Sequence, residues 1–490
     1  MQVRTRFAPS PTGFLHVGGI RTALFAWLLA RQNNGQFILR LEDTDKNREV
    51  EGSAQHVIDS LRALGIDFDE GPDVGGQLGP YKQSERLDIY KKWAQKLIES
   101  GRAYADPYSP EEVQAFREQA QKSKQPFLYR NHRPVDPPKW DGTQPLRFKS
   151  TQVNRRYNDL VFGNTHCNSE ATDDFILIKS DGYPTYNFAH IVDDAEMEIT
   201  HVIRGQEFLS SMPYYLDLYE ALELKEKVPY FAHLPHILNE RGNKKLGKRD
   251  GAKDVLDYIK EGYLPEALRS FIATLGWNDG TEQEVFTTEE LIAKFSLDRA
   301  GKSGAHFDEK RLNWVNGHFI REMPLDDLYN ATMGHRQPPT TNESRNFWPL
   351  EATKFDEAYK KQVLSVVQER LKYLAELPEL TTLFFEEPTP NLELITTNKQ
   401  LKKLETATLK ELLTLSLEAL EKSDFTPEDI QVRLNALLQT TNYGPSTIFS
   451  IIRVATTWKA FSPQLNETLA VLGKETTLKR LTQSIDYLNN

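Results

Sequence analysis

The chain opens on a strand that runs into a proline, a short loop and a glycine-bearing helix start. A junction of that kind commits its surroundings to an open α/β sheet. Val3-Arg4-Thr5-Arg6-Phe7-Ala8 carries the β-branched and aromatic residues of a strand, and Pro9 ends it. Ile20 to Arg31 are nearly all good helix formers, with Gly18-Gly19 immediately before them. A helix start presents unpaired backbone N–H groups and a partial positive charge, so it attracts phosphate. Glycine lets a nucleotide approach the backbone without meeting a Cβ. His16 adds a donor for phosphate oxygens as charge shifts during attack on an α-phosphorus. Taken alone, His16 reads equally well as a buried loop histidine beside an ordinary helix start.

A distant segment, Lys244-Lys245-Leu246-Gly247-Lys248-Arg249, supplies cations. Gly242 to Lys248 fits the G-x-x-x-x-G-K part of a P-loop, but Arg249 stands where that loop needs Ser or Thr for magnesium. Four adjacent cations also line a tight anion nest poorly. A loop that reaches Lys245 and Lys248 toward departing pyrophosphate accounts for them better, although Lys/Arg clusters are ordinarily solvated surface. Phe37-Ile38-Leu39-Arg40-Leu41-Glu42-Asp43 reads as a buried strand with acids at its carboxyl end, where open α/β sheets bind ligands. Ile199 to Gly205 is another strand, with Arg204 near its end.

The blocks APSPTGFLHVGG, LRLEDTD, DGYPTYNFA, THVIRG and KLGKR, in this order, resemble the bacterial-type glutamyl-tRNA synthetases, a class I family. Similarity extends over essentially the whole length, including Ile452-Arg453-Val454-Ala455 and Leu472-Gly473-Lys474-Glu475. The resemblance implies ATP binding by His16, Gly18, Gly19, Glu207 and Lys248, with His16, Lys245 and Lys248 as the catalytic group. It implies a glutamate pocket of Arg6, Ala8, Ser10, Glu42, Tyr186 and Arg204. Arg6 and Arg204 would flank the carboxylates, Ser10 and Tyr186 would add hydrogen bonds, and Glu42 would meet the α-ammonium. The chemistry agrees, since a dicarboxylic amino acid calls for arginine forks and one carboxylate for its ammonium. A structural ion pair is the competing reading of each of the three charged residues.

Three positions depart from the family pattern. Gly247 stands where serine is usual, and His190 near the amino-acid pocket replaces a different residue. Some relatives carry a cysteine-rich zinc site after the equivalent of Tyr104, but here the single cysteine is Cys167, so a structural zinc of that type is excluded. ATP with Mg²⁺ is the expected cofactor set, and no protein metal site is expected.

A single cysteine rules out an intrachain disulfide and fits a reducing cytosol, so a cytoplasmic location is expected. Met1 runs straight into the catalytic strand, leaving no room for a cleaved signal peptide. The longest conspicuous apolar stretch, Ala23 to Ala30, is far short of the ~20 residues that span a bilayer, so no membrane partner is expected. A formal net charge of −10 argues against general nucleic-acid affinity, so cations for tRNA must be placed locally.

The expected fold class is a doubly wound, Rossmann-like α/β catalytic domain with an inserted acceptor-binding domain and an all-α C-terminal anticodon-binding region. The expected boundaries are 1–72 and 180–239 for the catalytic halves and 73–179 for the insertion. A stem-contact domain follows at 240–321, then helical anticodon-binding domains at 322–376 and 377–490. Within the insertion Ser84 is expected to cap a helix from Glu85 to Ser100. Gln337 to Asn342 is expected to be a loop, and Thr426-Pro427-Glu428-Asp429 a helix start. Helical periodicity fills the C-terminal part, and amphipathic helices are ordinarily just bundle core, so anticodon reading follows from the resemblance alone.

The implied reaction is formation of glutamyl-adenylate from L-glutamate and ATP, then transfer to the terminal adenosine of tRNA(Glu). Whether tRNA(Gln) is also charged stays open, and a monomer is the family default. A glutaminyl-tRNA synthetase shares the front half, although helices rather than β-barrels follow residue 321. The shorter enzyme that glutamylates a tRNA base lacks the C-terminal region. A non-catalytic tRNA-binding paralogue should have lost signature residues, and only Gly247 points that way.

Overall fold

The computed structural model describes residues 2–247, 253–334 and 345–488. The chain forms two compact units: Met1–Ile259 with Pro265–Val315, and Lys260–Leu264 with Asn316–Asn490. The expected loop at Gln337 to Asn342 lies outside the described residues.

The first unit begins with β1 (Arg4–Phe7), α1 (Val17–Gln32), β2 (Gln36–Leu39), α2 (Ser53–Ala63) and α3 (Leu87–Glu99). Next come β3 (Ala103–Ala105), α4 (Pro110–Lys122), β4 (Leu146–Phe148), β5 (Arg155–Asp159), β6 (Gly163–Cys167) and β7 (Ile176–Ile178). The remaining elements used below are α5 (Tyr186–Glu196), β8 (His201–Gly205), α6 (Met212–Ala221), β9 (Tyr230–Leu234), β10 (Ile237–Leu238) and β11 (Ala305–His306).

Six strands form the main sheet in the order β2-β1-β8-β9-β5-β6, and every pairing in it is parallel except the β5–β6 hairpin. All four residues of β1 are buried, as are Phe37, Ile38 and Leu39 of β2. Burial on both faces is why these strands read as continuous apolar runs and not as alternation. Helix α1 packs on β1, β2 and β8 through Ile20, Ala23, Leu24 and Phe25, and Thr5 Oγ1 donates to Ala26 O at 2.8 Å. The chain enters on β1, places β2 on one side and β8 on the other, and so creates a topological switch point at the carboxyl ends of these strands. Open sheets bind ligands at such a point.

Two local expectations are corrected. The stretch 73–179, expected to be an insertion, contains β5 and β6, which extend the main sheet beyond β9. Their sequence is short and polar, and only Asp159 and Cys167 at the strand ends are buried, so the alternation was too weak to read. Only β3, β4 and β7 form the separate three-stranded antiparallel sheet. Ser84 does not cap α3. Its N–H and hydroxyl donate to Asp43, at 2.8 and 2.5 Å, and the helix begins at Leu87, ending before Gly101 at φ +70. A carboxylate brought from β2's exit loop outcompetes the local cap.

The second unit is helical among its described residues. Its larger helices are Thr406–Glu421, Pro427–Thr440, Pro445–Thr457 and Lys474–Tyr487. Thr426 caps Pro427–Thr440 by accepting from Asp429 N–H at 3.2 Å, as the sequence predicts. Buried Arg480 donates to Leu383 O and Thr456 O at 3.0 Å and to Glu386 O at 2.8 Å. One guanidinium thereby satisfies carbonyls at the ends of two helices, where positive charge is favoured. Among the described residues no helix is long and apolar enough to cross a membrane.

Candidate active site

At the carboxyl ends of β1, β2 and β8 the structure gathers charge that would be costly anywhere else in a core. Arg6, on β1, is 3% exposed, and its Nε donates to Asp194 Oδ1 at 3.2 Å. Arg40, just past β2, is fully buried; it donates to the same oxygen at 2.8 Å and to Glu42 Oε1 at 3.0 Å. The Arg6↔Ile38 pairing of the parallel ladder brings the two arginines side by side. Burial opposes ionisation of Asp194, but the charges of Arg6 and Arg40 overcome it and hold that carboxyl far below its usual range. Glu42 is different. Burial pushes it up to about 7, and Arg40 and Arg6 only partly pull it back.

Arg204, on β8, is 4% exposed and its guanidinium lies over the rings of Phe208 at 4.9 Å and Tyr215 at 4.8 Å. Its Nε donates to His233 Nε2 at 3.1 Å, while His233 Nδ1 lies 2.5 Å from Asp159 Oδ2. The arginine never accepts a hydrogen bond, so His233 Nε2 is the lone-pair nitrogen and Nδ1–H donates to Asp159. Burial lowers the His233 pKa as well, against the pull of Asp159. Tyr186 starts α5, stacked on Phe208 with ring centroids 5.2 Å apart and tilted against His190 at 4.8 Å. Burial drives His190 down to about 3 despite Asp194, so its imidazole is neutral.

Buried side-chain atoms of this cluster without a hydrogen-bond partner among the described residues include Glu42 Oε2, Arg40 Nε, Arg204 Nη1, Asp194 Oδ2 and both ring nitrogens of His190, with His190 Nδ1 3.6 Å from Asp194 Oδ2. Buried polar groups are normally satisfied, and each exception asks for a missing partner. Here orphans of opposite charge lie in one cluster around Tyr186. Ala8 and Ser10 lie on the loop after β1, Ala8 half-buried and Ser10 exposed, with Ser10 O accepting from Thr12 N–H at 2.8 Å.

The second half of the site surrounds the start of α1. The helix begins at Val17 and not at Ile20, so Gly18 and Gly19 lie in its first turn, with His16 as N-cap. His16 Nδ1 accepts from Gly18 N–H at 3.1 Å, which leaves the proton of a neutral ring on Nε2. A Cβ on Gly18 would stand 3.0 Å from His16 Cε1, and one on Gly19 would stand 2.5 Å from Leu15 Cδ1. The folded-back loop itself therefore crowds both positions, apart from any nucleotide, through side chains that would have to shift.

Glu207, in the 3₁₀ turn after β8, lies 3.8 Å from Lys245 Nζ and 3.7 Å from His236 Nδ1. Lys245 reaches it from a hairpin that leaves β10, turns through Gly242 and returns to pair Lys245 with Leu238. That hairpin, with Asn239 N–H donating to Lys244 O at 2.9 Å, is not the strand-to-helix anion nest of a P-loop. Arg21 of α1 donates to Pro235 O, joining the helix to the end of β9. Burial lowers the Arg21 pKa to about 10, against the attraction of Glu207. Lys248 and Arg249 lie outside the described residues. Their flanks are fixed: Lys245 stands beside Glu207 on one side, and Asp254 forms a β-bridge with His16 on the other. Two segments distant in sequence thus meet at one helix mouth.

Sequence reasoning missed Arg40, Asp194, His233 and Asp159. Arg40 stood inside a quoted block and Asp194 just past another, but nothing local showed that they pair across 154 positions. Among the described residues no group of three or more His, Cys, Asp or Glu is placed to hold a metal ion.

Residues 2–314 match the family described as tRNA synthetases class I (E and Q), catalytic domain, and residues 340–485 match an anticodon binding domain. The chain is 40% identical over 494 residues to a glutamate–tRNA ligase of Bacillus licheniformis, covering 98% of each chain. It is 40% identical over 515 residues to a glutamate–tRNA ligase of Chlorobaculum parvum, covering 100% of this chain and 98% of that one. The crystal structure of a glutamate tRNA ligase from Elizabethkingia meningosepticum in complex with its amino acid superposes with a TM-score of 0.84. It is 31% identical and covers 100% of both chains.

Proposed function

We propose residue roles on the premise that this chain belongs to the class I tRNA synthetases for glutamate and glutamine, and among them to the glutamate–tRNA ligases. Such enzymes join glutamate to tRNA at the expense of ATP. The observation that carries the assignment of the amino-acid pocket is the set of orphaned buried atoms of both signs. L-Glutamate brings an ammonium for Glu42 Oε2 and carboxylates for Arg204 Nη1 and for Arg6, whose Nε already leans on Asp194. Tyr186 lines the pocket beside Arg204, and the loop Ala8 to Ser10 closes it at the end of β1.

ATP takes the other half. The first turn of α1, with His16, Gly18 and Gly19, receives phosphate, and Glu207 and Lys245 face it from the ends of β8 and β10. Lys248, outside the described residues, joins them in binding the phosphates. The α-carboxylate of glutamate, pinned by arginine, attacks the α-phosphorus in line, and His16 Nε2–H with the lysines takes up the charge of the departing pyrophosphate. Magnesium has no cage of protein ligands among the described residues, so it would be carried chiefly by phosphate oxygens, as is usual for it. When bound it neutralises charge developing on the pyrophosphate.

The terminal adenosine of tRNA(Glu) then attacks the mixed anhydride and releases AMP. The part of 73–179 outside the main sheet receives the acceptor end, 240–321 the inner corner of the tRNA, and 322–376 with 377–490 the anticodon. The enzyme works as a cytoplasmic monomer. Charging assays on purified tRNA(Glu) and tRNA(Gln), with tRNA present during ATP–pyrophosphate exchange, test this reading. Glutamate-dependent charging of tRNA(Glu) is expected, and its absence overturns the reading. Charging of tRNA(Gln) distinguishes an enzyme with broad tRNA choice from one confined to tRNA(Glu).

A further inference from the structure

His56 lies on α2, outside every group assigned above, yet it touches both halves of the ATP site. Its Nε2 stands 2.5 Å from Asp254 Oδ2, with the two side chains only 12% and 18% exposed. Its Nδ1 faces the Leu15 N–H at 3.4 Å, one residue before the N-cap of α1. Phe14 packs its ring on the imidazole with centroids 4.6 Å apart. Asp254 is the second described residue after the segment that holds Lys248 and Arg249, and its backbone bridges His16. Its other carboxylate oxygen accepts from Leu256 N–H at 2.9 Å, at the start of the helix Val255–Lys260.

These contacts assign one neutral tautomer. Nδ1 accepts from Leu15 N–H, and Nε2–H donates to the Asp254 carboxylate. A single ring thereby ties the loop before α1 to Asp254. We propose that His56 and Asp254 form a latch that locks the loop before α1 onto Asp254, whose backbone bridges His16, so that His16 is presented to ATP at the mouth of α1. The inference rests on the ATP reading above. His56 itself touches no substrate and is a positioning residue. His16 stabilises charge only when held in place, and displacements of about 1 Å are enough to cost about a hundredfold in rate.

The test uses the full chain with tRNA bound, and compares His56→Ala, Asp254→Asn and the double variant. Asp254→Asn keeps an oxygen for Leu256 N–H while removing the charge, and alanine is the best helix former for the interior of α2. Loss of a charge-assisted hydrogen bond of this kind corresponds to at least about tenfold in kcat/KM for ATP in pyrophosphate exchange. KM for glutamate should stay within about twofold, because the amino-acid pocket is built from other elements. The double variant should be no worse than the poorer single variant, since both remove the same link. Thermal unfolding of each variant separates misfolding from mispositioning. Single variants within about twofold of the parent for ATP overturn the proposal, as do equal losses for ATP and glutamate or multiplicative losses in the double variant. Failure of the parent itself to charge tRNA overturns the ATP reading instead.

Discussion

Replacing Glu42 by glutamine should make the empty enzyme more stable and a poorer binder of glutamate, and pH separates the two effects. Glu42 is 3% exposed, and its titration is pushed from an ordinary value of 4.5 up to about 7. Burial is the main cause; Arg40 and Arg6 oppose it. At 1.36 kcal/mol per pH unit, that difference makes the ionised side chain cost about 3 kcal/mol. The folded pKa of this acid lies above the unfolded one, so between pH 4.5 and about 7 the folded state holds a proton that the unfolded chain has lost. Stability therefore falls across that window, and the full cost is present above pH 7. Glu42→Gln keeps an oxygen for Arg40 and removes the charge, so its gain should be full at pH 8 and under about 1 kcal/mol at pH 5. For a unit of roughly 310 residues, about 3 kcal/mol raises Tm by about 5 °C. Calorimetry at the two pH values reads this directly. Binding runs the other way, because the ammonium of glutamate needs the carboxylate. Titration calorimetry on the parent should show affinity falling up to about tenfold per unit below pH 7. A variant less stable than the parent at pH 8, or glutamate affinity flat between pH 6 and 8, would refute the reasoning.

Three further perturbations probe neighbouring claims. Asp194→Ala strands Arg6 and Arg40 in the core, and denaturant unfolding should show a loss of about 3–5 kcal/mol; a loss under about 1 kcal/mol would mean that other groups neutralise them. Gly19→Ala forces a Cβ to within 2.5 Å of Leu15 Cδ1, so KM for ATP should rise; adding Leu15→Ala should restore it, and a defect that persists would show a direct demand of the nucleotide for glycine. Lys245→Ala breaks an exposed pair of 3.8 Å, so stability should change by less than about 0.5 kcal/mol, while pyrophosphate exchange falls at least about tenfold; a reversal of that order would make Lys245 structural.

Much of this site was legible because its residues sit on elements whose patterns are strong. Arg6 and Arg204 lie within apolar strands buried on both faces, Glu42 follows another, and Tyr186 heads a helix after a proline. What escaped has a common physical cause. Arg6 and Asp194 are 188 positions apart, so their pairing is fixed by strand order and leaves no local trace. The hairpin Arg155–Cys167 joins the sheet by its edge with few buried side chains, so neither periodicity nor composition reports it. Ser84 erred in the opposite direction. A strong local cap signal was present, but a tertiary contact from Asp43 redirected it.

The buried charges are compensated unequally, and the inequality selects the ligand. Asp194 takes direct hydrogen bonds from both Arg6 and Arg40, and Asp193 binds Arg86 at 2.7 Å and Tyr90 at 3.0 Å. Two arginine charges compensate Asp194 even though its Oδ2 has no hydrogen-bond partner among the described residues, and Asp193 is bound through both oxygens. Arg204 meets a neutral imidazole, with the charge of Asp159 one ring further away, so its guanidinium is matched by a carboxylate only at a distance. Glu42 is the corresponding weak point among the acids, with one oxygen bound and the other without a partner among the described residues. The two least compensated groups are thus one cation and one anion in the same pocket. A ligand relieves both only if it carries a carboxylate and an ammonium together, and it relieves Arg6 as well only with a second carboxylate. Replacing that second carboxylate by an amide removes a charge-assisted bond worth about 1.5–3 kcal/mol, so glutamine should lose roughly ten- to a hundredfold to glutamate in competition for the empty site.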